Sequence, residues 1–228
     1  MKVYLCGGGS GKQIFNALLD FSKKIDKSKP ILYIPLAMDN SRYDSCYNWF
    51  SEEIKNVNLT KFEMIKSSLE LSKKDLSNYS SIFIGGGNTY KLLNEIKQYS
   101  NYEKIIDYLN NGGTIFGGSA GAIIFGKDIN CCLLDDKNDI GLKDTCGFNL
   151  LNNYSILCHL KSKNFKKNCK FLQEYSKDKK IIYLPEEDVI LVEDNKIKLI
   201  GTRKYMIFKN GKYSYHNFAN FKKDMVDI

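Results

Sequence analysis

Short apolar runs alternate along this chain with segments in which apolar positions recur every three to four residues. The runs Val3–Cys6, Ile31–Pro35, Phe62–Ile65, Ser81–Ile84, Thr114–Gly117 and Ile156–His159 have the length and the β-branched or aromatic content of strands. Between them, Gln13–Ile25, Tyr43–Lys55, Thr89–Tyr99, Tyr102–Asn110, a segment starting at Ala120, and Asn164–Tyr175 carry the helical period. Strands that alternate with amphipathic helices predict an α/β fold of three layers, a mostly parallel sheet flanked by helices. After Lys180 the texture changes to short alternating runs, Ile181–Leu184, Val189–Glu193, Lys196–Ile200, Tyr205–Lys209 and Lys212–His216, split by turns at Glu193–Lys196 and Lys209–Lys212. Asn210-Gly211 is a two-residue hairpin signal, so this part predicts a small antiparallel β appendage. No Pro, Gly or Ser-rich linker divides residues 1–228, which reads as one domain.

Composition narrows the function classes. Hydrophobic residues make up 43% of 228, enough for a sizeable core, without the ~18 unbroken apolar residues of a membrane span. The chain opens on the strand-like Lys2–Cys6 with no basic and apolar leader, so a cytoplasmic location is expected. Seven cysteines without a C-x-x-C pair fit a reducing compartment, and with two histidines beside them no metal site or cofactor is expected. The formal charge of +8 is built on lysine, with Arg42 and Arg203 as the two arginines. A nucleic-acid partner would call for clustered Arg with exposed aromatics, so no nucleic acid and no membrane is expected, and the field favours anionic substrates.

Candidate chemistry concentrates at Gly113-Thr-Ile-Phe-Gly-Gly-Ser119-Ala-Gly121. A β run enters a serine flanked by small residues and continues as a helix, the layout of a nucleophile elbow, where Gly117 and Gly121 leave room for the turn. Two other glycine runs follow strands. Gly7–Lys12 lacks the Walker pattern, since the first Gly would fall on Cys6 and the Ser or Thr on Gln13. Gly85-Gly-Gly-Asn-Thr89 closes a strand and opens a helix, so its backbone N–H groups can stabilise an oxyanion. A serine needs a general base and a group that orients it. His159 ends a strand on the elbow's edge of the sheet and is the expected base, whereas His216 lies in the terminal hairpin. For the orienting carboxylate, Glu186 after Leu184-Pro185 comes first, with the acidic loop of Asp135, Asp136, Asp139 and Asp144 as the other source.

Together, Gly85–Thr89, Gly118-Ser-Ala-Gly-Ala122, His159 and Leu184-Pro-Glu186 resemble the dipeptidase E and cyanophycinase family of serine peptidases, on a scaffold like class I glutamine amidotransferases. The resemblance implies Ser119 as nucleophile, His159 as base and an oxyanion hole at Gly86, Gly87 and Ala120, with Asn88 beside it. It leaves Glu186 or Asp139 as third member. It also implies hydrolysis of a small acidic or aspartyl peptide, with Arg203 or Arg42 as the partner of its carboxylate, and a scaffold that often forms homodimers. Two rival readings remain. An esterase of the α/β-hydrolase type would use Ser119, Asp194 and His216; a non-catalytic ligand-binding member of the scaffold would keep the glycine loops alone.

Overall fold

The computed structural model describes residues 1–228 except 161, 195, 218, 220 and 222–228. Its strands are β1 (Lys2–Cys6), β2 (Ile31–Ile34), β3 (Phe62–Met64), β4 (Ser81–Ile84), β5 (Thr114–Gly118), β6 (Tyr154–Leu157), β7 (Lys180–Tyr183), β8 (Val189–Glu193), β9 (Lys196–Ile200), β10 (Tyr205–Lys209) and β11 (Lys212–His216). The helices are α1 (Phe15–Lys23), α2 (Tyr43–Lys55), α3 (Ser68–Lys73), α4 (Thr89–Lys97), α5 (Asn101–Asn110), α6 (Ala120–Ile123) and α7 (Phe165–Tyr175).

Strands β1 to β5 pair in parallel in the order β3-β2-β4-β5-β1. Apart from the edge strand β3, where Glu63 binds Lys74 and Tyr79, they are near-continuous apolar runs because helices cover both faces. Period-2 alternation divides their side chains. Val3, Leu5, Leu32, Ile34, Ile82 and Ile84 pack with α4 and α5, while Tyr4, Tyr33, Phe83 and Phe116 pack with α1 and α2. The second face is aromatic across the sheet: Phe83 stacks on Phe116 at 5.0 Å, and Phe116 on Tyr4 at 5.7 Å.

The antiparallel C-terminal part is present, but its five runs are shared between two sheets. β8 pairs antiparallel with β1 and β9 with β8, so these two form the edge of the central sheet. The second sheet has the order β11-β10-β7-β6, with β6 parallel to β7. Strand β6, expected on the elbow's sheet, therefore belongs to this smaller one. α7 covers that sheet through Cys169 and Leu172 against Ile181, Met206 and Phe208. The turn expected at Glu193–Lys196 includes Asn195, which is outside the described residues. The short α3 is an element that the hydrophobic period does not announce. It is fixed locally, by a Ser67 side chain that accepts from Glu70 N and a Glu70 carboxylate that accepts from Lys66 N. Among the described residues no helix is long and apolar enough to cross a membrane.

Candidate active site

β5 delivers Ser119 to the carboxyl edge of the parallel sheet, the edge at which open α/β sheets build their sites. Its backbone turns at φ 52°, ψ −113°, before α6 begins at Ala120. That turn needs bare backbone on both sides. A β-carbon on Gly117 would lie 2.2 Å from Gly121 O, and one on Gly121 would lie 2.2 Å from Ile84 O.

Ser119 Oγ is 2.8 Å from His159 Nε2, and His159 Nδ1 is 3.1 Å from Glu186 Oε1. His159 reaches this position two residues beyond β6, from the second sheet. Cys158 ties the two sheets at this point, its buried thiol directed at the carbonyls of Cys6 and Ser119. Glu186 projects from a turn closed by Asp188 N–H donating to Pro185 O at 3.0 Å. The first glycine run holds that turn, because Gly7 N–H donates to Asp188 O at 3.0 Å and Gly9 N–H to Glu186 O at 2.7 Å. A β-carbon on Gly7 would sit 1.9 Å from Pro185 O. The run is thus a seat for the turn that carries Glu186, a role that neither a phosphate-loop pattern nor its absence could reveal. Three consecutive glycines after β1 were the available signal.

Asp139, the alternative third member, is exposed in the loop after Leu134, and the partner at His159 Nδ1 is Glu186. Its neighbour Asp136 accepts from both the N–H and the hydroxyl of Thr89, at 2.8 and 2.6 Å, and so caps α4. The esterase set is dispersed: Asp194 pairs with the amino group of Met1, while His216 stacks on Tyr205 and contacts Ser214 in the second sheet.

Beside Ser119, Gly86 approaches so closely that a β-carbon there would lie 3.1 Å from Ser119 Cβ. Gly87 takes φ 137°, where an added β-carbon would meet Ala37 O at 2.5 Å. The N–H groups of Gly86, Gly87 and Ala120 have no acceptor among the described residues. Open donors beside Ser119 are suited to an anion that forms there. The thiols nearby are poor nucleophiles, since burial pushes Cys6 up to about 12 and Cys158 well above its ordinary value.

The model of peptidase family S51 matches residues 4–200. The chain belongs to that family. It is 26% identical over 214 residues to peptidase E of Nostoc sp., covering 87% of this chain and 83% of the relative. It is 24% identical over 209 residues to peptidase E of Salmonella arizonae, covering 86% and 87%. Two crystal structures share the fold with a TM-score of 0.70. One is a Listeria monocytogenes EGD-e protein provisionally assigned to peptidase E, at 20% identity over 89% of this chain and 98% of that one. The other is a peptidase from an acI-B1 Actinobacterium, at 17% identity over 95% and 93%. Membership makes this chain a peptidase, a hydrolase by reaction class.

In this S51 chain two expected substrate contacts are engaged elsewhere. Asn88 spends its side chain on structure: Oδ1 accepts from Lys91 N to cap α4, and Nδ2 donates to Lys137 O. Arg203 Nη2 donates to Glu187 Oε1 at 2.9 Å, because the loop between β9 and β10 folds against the turn of Glu186. Arg42 stands instead at a cavity of about 430 Å³ that opens on Ser119, Gly86 and Gly8. A second cleft, about 290 Å³, lies across Ser119 and is lined by Gly87, Asp135, Asp136 and His159.

Proposed function

We propose that the chain is a serine peptidase that cleaves aspartyl dipeptides through an acyl-enzyme on Ser119. One observation carries this reading: the hydrogen-bonded line from Ser119 Oγ through His159 to Glu186, set beside three open N–H donors. His159 Nε2 takes the proton of Ser119 as Oγ attacks the amide carbonyl. Glu186 holds the ring through Nδ1–H, which directs the free lone pair of Nε2 to Oγ. The N–H groups of Gly86, Gly87 and Ala120 receive the oxyanion. The protonated ring then gives its proton to the leaving amine, and water, deprotonated by His159, attacks the acyl group and restores Ser119.

The aspartyl preference follows from the family resemblance together with the excess of positive charge. The test is a panel of aspartyl dipeptides, β-aspartyl peptides and simple esters given to the parent and to Ser119→Ala, with fluorophosphonate labelling of Ser119 alongside. Release of free aspartate by the parent and its loss in the variant are expected. Equal rates would end the serine mechanism.

A further inference from the structure

The cavity beside Ser119 has a composition that a small acidic side chain does not match. One wall is a single face of α2 and the turn before it, with Arg42, Ser45, Cys46 and Trp49 at spacings of three, four and seven. The opposite wall is the aromatic face of the sheet, through Tyr33, Phe83 and Phe116. Phe50, which packs on that face from α2, is fully buried, whereas Trp49 is 41% exposed although it lies 6.2 Å from the Phe83 ring. The Trp49 ring is thus left partly uncovered at a cavity, floored by sheet aromatics, that opens on the nucleophile candidate.

Arg42 is the sole cation in the lining, and no carboxylate among the described residues pairs with it. An aspartyl side chain placed on Arg42 would leave most of about 430 Å³, and the Trp49 ring, unfilled. A residue that offers a large ring and a carboxylate together satisfies both walls. In a dipeptide, the C-terminal residue carries its free carboxylate beside its side chain.

We propose that this cavity seats the C-terminal residue of a dipeptide substrate, with an aromatic or other large apolar side chain against Trp49 and the sheet aromatics and its terminal carboxylate on Arg42. The assignment rests on the reading that the substrate is a dipeptide cleaved at Ser119. It makes the leaving residue a determinant of specificity and directs the acyl residue to the other side of Ser119.

Binding separates this assignment from catalysis. Ser119→Ala is titrated calorimetrically with Asp-Phe, Asp-Ala and the C-terminal amide of Asp-Phe. Asp-Phe is expected to bind about 10-fold or more tightly than Asp-Ala, from burial of the ring. Amidation is expected to cost about 10-fold, from loss of a charge-assisted pair. Adding Trp49→Ala should erase the advantage over Asp-Ala, and adding Arg42→Gln should erase the effect of amidation. Both positions are exposed, so the variants should fold. Equal binding of Asp-Phe and Asp-Ala, no binding of any of the three, or an Arg42→Gln loss equal for acid and amide would overturn the assignment. The last result would place Arg42 on the aspartyl side chain. Hydrolysis by the parent is read separately: the expected binding pattern without cleavage would keep the cavity as a seat for the C-terminal residue of a bound dipeptide and end the serine-peptidase reading, and cleavage without the pattern would overturn the seat and leave that reading standing.

Discussion

Gly8 and His159 touch so closely that the glycine has no room for a side chain: a β-carbon at position 8 would lie 2.8 Å from His159 Cε1 and 3.3 Å from Nε2. Gly8 also has φ 121°, which disfavours any L side chain. In Gly8→Ala the imidazole is the softer neighbour and should swing away, which lengthens the 2.8 Å contact with Ser119. Turnover should fall about 100-fold, the usual consequence of misplacing a reacting group by an ångström. Circular dichroism should stay native, and unchanged kcat would show that the ring does not depend on Gly8.

Glu186 and Asp139 separate by substitution. Glu186→Gln keeps the shape but removes the charge that steadies a protonated His159, so kcat should drop roughly 10- to 100-fold, less than for a deeply buried carboxylate because Glu186 is half exposed. Asp139→Asn should stay within about twofold of the parent, as expected for an exposed residue outside the site. Steady-state kinetics on one dipeptide checks both, and the reverse ranking would return Asp139 to the third position.

Much of this geometry is legible in the amino-acid sequence. The parallel strands were legible as short, largely apolar runs, and Ser119 because a strand, small residues and a helix meet there. Which sheet a strand joins is a different matter. β8 and β9 follow one another in the chain and pair with each other, but the pairing of β8 with β1 depends on residues more than 180 positions earlier. β6 likewise reads as a core strand, with nothing local to say that its partner is β7. The choice of Glu186 depends on backbone bonds from Gly7 and Gly9, and the choice between Arg42 and Arg203 on the position of Glu187. Such contacts join distant segments and leave no periodic trace.

The histidines give an independent check on the elbow. His159→Ala should reduce turnover to about 1% of the parent or less, as removal of a general base does. His216→Ala should leave kcat/KM within about twofold, since its ring packs on Tyr205 in the second sheet. Loss of activity at His216 alone would revive the esterase arrangement.

Gly121 bears on stability instead of chemistry. An alanine there sets its β-carbon 2.2 Å from Ile84 O, a backbone atom of the neighbouring strand that cannot turn aside. Strand β4 or α6 must shift, at a cost of roughly 3 kcal/mol, which for a chain of this size lowers Tm by on the order of 10 °C. A calorimetric Tm within about 2 °C of the parent would mean that the elbow has slack.

Glu53 gives the fold a pH dependence of definite sign. It is 5% exposed on α2, and its Oε1 accepts from Gly11 N–H at 2.7 Å, closing the loop that carries Gly8. Burial raises its pKa, partly opposed by that N–H. The folded state therefore keeps this proton to higher pH than the unfolded chain does. Between the ordinary carboxylate pKa and the raised one it binds more protons, so stability from this group falls as pH rises through that window and stays lower above it. Glu53→Gln retains the acceptor oxygen and removes the charge. The difference in Tm, variant minus parent, should thus become more positive between about pH 4 and pH 8. A difference that is constant or shrinks across that range would mean that the carboxylate is solvated in the folded protein.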